Sequence, residues 1–222
     1  IAHEINNPLA IMGQELEWIQ YLISSEENLS NEKILEIKDS IEELNKQIRR
    51  CSDVTHRLLS LARKTDLVFQ ETNVNDIVED VISLVEKEAK LKGISVVRVL
   101  DSCIPGIMTD PPLLKQVLLN LCNNALYAVG ENGRVVVRTG IQNKEVIIEV
   151  EDKGPGIPKE LLGKVFDPFF TTKEPGKGTG LGLSISQNIV HKLGGTISVE
   201  SKPSKGTIFQ VRIPMEVSHG SK

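Results

Sequence analysis

The stretch "GKGTGLGLS" sets Gly178, Gly180 and Gly182 at the entrance of a segment with helical periodicity. Glycines there let backbone N–H groups approach phosphate oxygens, and a helix beginning near Leu181 would offer them its positive end. A flexible surface loop with a glycine-rich cap would look the same. The stretch has no Gly-Lys-Ser/Thr at Walker spacing and misses the GxGxxG register of a dinucleotide fold. "EDKGPGIP" puts Asp152 directly after a strand, where its carboxylate could accept from an exocyclic amino group such as that of adenine. Gly154 and Gly156 would then let the base come close to the backbone; a turn begun by an Asp is the other reading. In "NLCNNAL", Asn120 and Asn124 lie four apart on one helical face. Their amide oxygens could converge on a hard cation or on phosphate, or form only a polar exposed stripe. "VFDPFFTTK" gathers Phe166, Phe169 and Phe170 around Asp167 and Pro168 and reads as an aromatic pin that holds a loop to the core. At the other end, "HEINNPLAIMG" clusters His3, Glu4, Asn7 and Pro8 in a helix-forming stretch. A solvated helix end could carry all four without chemistry.

These residues need a scaffold. Ile5, Leu9, Met12, Leu16, Ile19 and Ile23 follow one another at steps of four and three, the seam of a coiled-coil-like helix. The pattern breaks from Ser24 to Ser30, resumes at Ile34, Ile37, Ile41, Leu44, Ile48 and Cys51, and continues to Leu58 and Leu61. A second long helix therefore returns antiparallel to the first. Two such narrow seams cannot close a core, whereas two copies make a four-helix bundle, which predicts a homodimer. Beyond Lys64 the period changes. The spacing predicts an amphipathic helix over 75–92, a strand in "ISVVRVL", and a helix over 111–129 with Pro at its entrance. "RVVVRTGI" and "EVIIEVED" form a hairpin joined through "QNK", a Gly- and Pro-rich stretch covers 153–180, a helix covers 181–193, and "GTISVES" with "GTIFQVRIP" forms a last hairpin. Interleaved helices and hairpins indicate a mixed sheet with helices over one face, an α/β sandwich.

A chain of 222 residues, 40% hydrophobic and 25% charged, can bury a sizeable core in two units and is not a disordered segment. The net charge of -4 carries no nucleic-acid footprint. Cys51, Cys103 and Cys122 form neither a disulfide framework nor a zinc pattern, so a reducing, cytoplasmic setting fits best. No apolar run approaches a membrane span. The chain starts at Ile1, without Met and already in a helical pattern, and is read as the C-terminal piece of a longer protein whose missing part could be a sensor, a membrane anchor or both.

Taken in order, "HEINNPL", "NLCNNAL", "DKGPGI", "VFDPFFTTK" and "GTGLGLS" resemble the H, N, G1, F and G2 boxes of bacterial sensor histidine kinases over nearly the whole chain, closest to the nitrogen-regulator-like and PAS-linked groups. The resemblance implies an α+β chain in two parts. Residues 1–66 would be a dimerisation and histidine-phosphotransfer hairpin that forms a dimeric four-helix bundle. Residues 67–218 would be a catalytic ATP-binding domain of the Bergerat type, shared with gyrase, Hsp90 and MutL.

Carried over residue by residue, His3 matches the phosphoacceptor, Asn124 the magnesium ligand with Asn120 beside it near the phosphates, and Asp152 the adenine-binding aspartate. Gly154, Gly156, Gly178, Gly180 and Gly182 match the glycines of the G boxes, and Thr207 a threonine bordering the adenine pocket. Thr171, Thr172, Lys173, Thr179 and Leu181 complete the nucleotide-binding set, and Lys177 lies with Lys173 in a short lid between Phe170 and Gly178. Glu4 is then the natural general base for His3, and Asn7 could orient a water against a phosphorylated partner. Pro8 cannot donate to the carbonyl of Glu4, which predicts a loosened or kinked turn. A neighbouring subfamily has Tyr four residues after the magnesium Asn, where Ala128 stands here with Tyr127 one position earlier, which weighs against a stacking role for Tyr127. The implied activity is ATP-dependent autophosphorylation on His3 with Mg2+, then transfer to an aspartate in the receiver domain of a response regulator, with phosphatase activity also open. An ATPase without histidine phosphorylation, or a phosphatase-dominant scaffold, are the rival readings.

Overall fold

The computed structural model describes residues 2–24, 30–62, 67–174 and 178–215; for helix residues 2–6, 24, 49, 50 and 52–62 it describes the backbone alone. The chain divides into two units, Ile1–Arg63 and Lys64–Lys222.

The first unit consists of α1 (Ala2–Ser24) and α2 (Asn31–Ala62), two helices that pack on one another. Pro8 lacks an N–H and removes one rung of the helix ladder, yet α1 is unbroken through it, so the expected loosening does not interrupt the helix. Leu22, Ser40 and Gln47 are buried within the hairpin. Two apolar columns that step by seven residues, Leu9, Leu16 and Ile23 on α1 and Ile34, Ile41 and Ile48 on α2, are instead 39% to 54% exposed.

The second unit follows in the order β1 (Gln70–Thr72), α3 (Val74–Leu91), β2 (Ser95–Val99), β3 (Ile107–Thr109), α4 (Pro111–Val129), β4 (Arg134–Gln142), β5 (Glu145–Asp152), α5 (Lys159–Leu162), α6 (Gly182–Lys192), β6 (Thr196–Lys202) and β7 (Gly206–Pro214). Five strands form a mixed sheet in the order β2-β4-β5-β7-β6, with β2 parallel to β4 and the remaining pairs antiparallel. The β4–β5 hairpin turns on Asn143 and Lys144, at φ 53° and 64°, the left-handed pair that a tight two-residue turn requires. The side chains alternate across the sheet. Val146, Ile148 and Val150 of β5, with Val211 and Ile213 of β7, point into the core, where α3, α4 and α6 lie against the sheet.

Local chemistry sets the helix ends. Asn73 caps α3 by accepting from Asn75 N (3.0 Å), and Asp110 caps α4 by accepting from Leu113 N (3.2 Å), ahead of Pro111 and Pro112. Asp110 also accepts from Val68 N (3.1 Å), which ties the entrance of the unit to α4. Burial of Val74, Ile77, Val78, Val81, Ile82, Val85 and Ala89 makes α3 amphipathic. Among the described residues no helix is long and apolar enough to cross a membrane.

Three elements depart from the expected layout. β1 and β3 form a separate antiparallel pair, Gln70 opposite Thr109 and Thr72 opposite Ile107. At three residues each, they are too short for any period to register. The short helix α5 lies within the Gly- and Pro-rich stretch of 153–180, where the sequence pattern indicated no element.

Candidate nucleotide site

Asn120, Asn124 and Ala128 recur every fourth residue of α4, so they share a stripe about 12 Å long. Each point on this stripe meets a different segment of the second unit. Asn120 Nδ2 donates to Ser186 Oγ of α6 at 2.9 Å, and its Oδ1 lies so close over Gly182 that a Cβ there would overlap it. Asn124 Oδ1 accepts from Lys173 Nζ at 2.9 Å. The carbonyl oxygen of Ala128 would stand 2.7 Å from a Cβ on Gly154. One helical stripe thus links the entrance of α6, the segment after the phenylalanines and the turn after β5.

At the β5 end, Asp152 is 3% exposed and accepts from Gly154 N at 2.8 Å. Burial raises its carboxyl above the ordinary aspartate value, while the backbone groups of Gly154 and Thr207 pull it back toward the charged form. Its neighbour Glu151 moves the other way: a hydrogen bond from Lys153, and Arg138 at 2.6 Å, hold it below the usual carboxylate range. Pleat alternation separates the two. Glu151 shares its face with Arg138, and Asp152 shares its own with the core residues of β5. Thr207 is paired with Asp152 in register and is buried. Its hydroxyl lies 3.0 Å from Ser201 Oγ, which also accepts from Ile157 N (2.8 Å). Gly156, at φ 72°, lies against the carbonyl of Lys202, and Gly206, at φ 90°, against that of Asp152. Neither position has room for a side chain.

The entrance of α6 differs from those of α3 and α4. Leu181 precedes the helix with no side-chain cap, and Thr179 Oγ1 accepts from Leu181 N at 3.4 Å. With no side-chain cap from Leu181, the first N–H groups of α6 are a donor set suited to an anion. Leu181 itself is fully buried, so it holds the loop down with its side chain. Gly180, at φ 65°, accepts from Phe169 N (3.0 Å) and packs directly on the Phe169 backbone. Gly178 is flush against Thr171 Oγ1 and the stem of Lys173. Thr171 Oγ1 accepts from Lys173 N (3.1 Å), and Thr172 is exposed.

The phenylalanines divide their roles. Phe166 meets Phe209 edge to face at 6.4 Å and acts as the expected pin. Phe169 does not: it is 40% exposed and sits at φ 68°, a backbone conformation that a bulky residue rarely adopts. Tyr127 carries the Lys173 ammonium 4.3 Å above its ring centroid. Its role is thus toward a lysine. Ser186 and Gly206 were not among the expected site residues; a serine four residues after Gly182, on the same face of the helix, and the Gly preceding Thr207, were the available signals. Asn7 is exposed on α1, while the side chains of His3 and Glu4, and all of Lys177, lie outside the described residues.

A mixed sheet backed by helices, with a buried aspartate at a strand end and an uncapped helix entrance, is the framework of a nucleotide-binding ATPase domain. Residues 109–217 match the family model described as histidine kinase-, DNA gyrase B- and HSP90-like ATPase. The chain is 35% identical over 217 residues to the sensor histidine kinase ZraS of Salmonella typhi, across 97% of this chain and 44% of that protein. It is 32% identical to sporulation kinase E of Bacillus subtilis, across 97% of this chain and 28% of that protein. It therefore spans less than half the length of these relatives. Among solved structures, the catalytic domain of histidine kinase ThkA superposes with a TM-score of 0.61 at 38% identity, covering 67% of this chain and 96% of that one. ThkA in complex with the response regulator protein TrrA gives a TM-score of 0.76 at 30% identity, covering 97% of this chain and 60% of that one. The chain belongs to the sensor histidine kinase family and carries its catalytic core.

Proposed function

We propose that residues 67–218 bind ATP and donate its γ-phosphoryl group to His3 on the hairpin of residues 1–66, and that the phosphoryl group then passes to an aspartate of a response regulator receiver domain. The observation that carries this reading is the stripe on α4, which joins a buried aspartate at one end to an uncapped helix entrance at the other. Adenine is held by Asp152, whose carboxylate accepts from the exocyclic amino group, beside Thr207. The phosphates lie toward Asn120 and the N–H groups at Gly180 to Gly182, at a helix entrance whose N-cap residue Leu181 supplies no side-chain cap. Thr171, Thr172, Thr179 and Lys173 border that end of the site.

Asn124 fits a magnesium ion. Its side-chain oxygen is a hard donor that already accepts a cation, the Lys173 ammonium, and a single protein oxygen suits an ion that keeps several waters and phosphate oxygens as ligands. Bound there, Mg2+ would neutralise charge on the phosphates. The remaining steps belong to the protein. A ring nitrogen of His3 attacks the γ-phosphorus as the bond to ADP breaks, and Glu4 takes the proton from the other ring nitrogen. Asn7, one turn on and exposed, can orient a water for dephosphorylation of the regulator.

Two further parts of the reading rest on the first unit and on the relatives. The half-exposed columns Leu9, Leu16, Ile23 and Ile34, Ile41, Ile48 support a homodimer in which a second hairpin covers them, completing a four-helix bundle. The ThkA complex with TrrA supports a receiver domain as the phosphoryl acceptor. The greater length of the relatives supports a parent with an upstream sensor region, tethered to the membrane or not. The deciding experiment is incubation with γ-labelled ATP and Mg2+ for wild type and His3→Gln, with nucleotide binding measured in parallel. An acid-labile, base-stable label that disappears in His3→Gln is expected. Hydrolysis with no protein-bound label would refute the kinase reading in favour of a plain ATPase.

A further inference from the structure

Lys173 is held from three sides. Its ammonium donates to Asn124 Oδ1 at 2.9 Å and sits 4.3 Å above the Tyr127 ring centroid, and its stem runs under Gly178, where a Cβ would stand 2.9 Å from Lys173 Cδ. Its backbone N–H is fixed by Thr171 Oγ1. Asn124 and Tyr127 are three apart on α4 and so lie side by side on its surface. The oxygen best suited to a divalent ion is therefore engaged by a cation from the chain itself, and an aromatic face stabilises that cation where it lies.

We propose that Lys173 is an internal competitor of the metal, parked on Asn124 by Tyr127, so that Mg2+-nucleotide enters only by displacing the ammonium. The inference rests on Asn124 as the metal ligand. Both cations are drawn to the same Oδ1, and like-charge repulsion between an ammonium held at 2.9 Å and an ion that coordinates at ~2.1 Å opposes their sharing it. Parking thus lowers the apparent affinity for metal-bound nucleotide by the fraction of time that Asn124 is taken, and leaves metal-free nucleotide untouched. Tyr127 is the specific part of the device. It touches the parked ammonium through its ring, and removing the ring weakens only the parked state.

The test is binding of ADP to the full chain, titrated once with Mg2+ and once with chelator, for wild type, Tyr127→Leu and Lys173→Met. The readout is the ratio of the two dissociation constants, which isolates the contribution of the metal without any turnover. Tyr127→Leu should enlarge the metal-dependent gain by about 2- to 5-fold, the equivalent of a lost cation–π contact at an accessible site, with metal-free ADP binding unchanged. Lys173→Met keeps the stem against Gly178 and should enlarge the gain further, since the ammonium is then absent. An unchanged or smaller metal gain in both variants overturns the competitor. Weaker ADP binding in Tyr127→Leu with and without metal alike would overturn it too, by making Tyr127 a contact of the nucleotide. If wild type itself shows no metal gain, the assignment of Asn124 as metal ligand fails first, an outcome distinct from the other two.

Discussion

Asp152→Asn separates nucleotide recognition from folding more cleanly than any other single change. In the folded protein the carboxylate is 3% exposed, accepts from Gly154 N at 2.8 Å, and has its pKa raised by burial. An amide of the same shape keeps one oxygen for Gly154 N and removes a desolvated charge, so the unfolding midpoint should stay level or rise slightly. The second carboxylate oxygen, the proposed acceptor for the adenine amino group, becomes an NH2 or a neutral oxygen. A charge-assisted hydrogen bond contributes about 1.5–3 kcal/mol and a neutral one about 0.5–1.5 kcal/mol. The difference of roughly 1–2 kcal/mol corresponds to about a 5- to 30-fold weaker ADP affinity. Calorimetric titration of ADP with thermal unfolding on the same samples measures both quantities.

The pH dependence gives the argument a second check. Because the folded pKa of Asp152 is raised, the carboxylate is lost earlier than an ordinary aspartate as pH falls, and adenine binding should fall with it through that range. For stability the sign is reversed: the unfolded chain releases the Asp152 proton first as pH rises, so this group destabilises the fold increasingly between the unfolded and the folded pKa. Asp152→Asn should flatten both dependences. Unchanged affinity in the variant, or a loss of affinity matched by a lower unfolding midpoint, would refute the assignment of Asp152 to the base.

Two further outcomes follow from the packing. Gly180→Ala forces a side chain into a left-handed backbone against Phe169; it should cost about 1–3 kcal/mol in urea unfolding and weaken ADP binding, whereas Gly140→Ala, with open space at its Cβ, should do neither. Ile41→Glu puts a charge into an exposed column of α2 and should turn a dimer into a monomer by sedimentation, with the unfolding of the second unit unchanged.

The long elements were legible because each repeats a period many times. The helix over 111–129 starts and ends where the spacing and the Pro at its entrance predicted, and the hairpin around Asn143 and Lys144 follows from two strand-like runs joined through "QNK". β1 and β3 were not, because three residues carry no period and their pairing joins positions 70 and 109, far apart in the chain. The glycines were visible as residues, but the sequence suggested that they open the backbone to a ligand. The fold also assigns each a protein neighbour: Ala128 for Gly154, Lys202 for Gly156, Phe169 for Gly180 and Asn120 for Gly182.

The sequence by itself determined which chemical groups are available, because an acidic residue after a strand and glycines before a helix act through local backbone geometry. Only the tertiary structure decided which of them meet. Asn120 finds Ser186, and Asn124 finds Lys173 beside Tyr127, across separations of 66 and 49 residues. Such contacts depend on how α4 packs against α6 and the segment after Phe170, a relation set by the filling of the core, which no local pattern encodes.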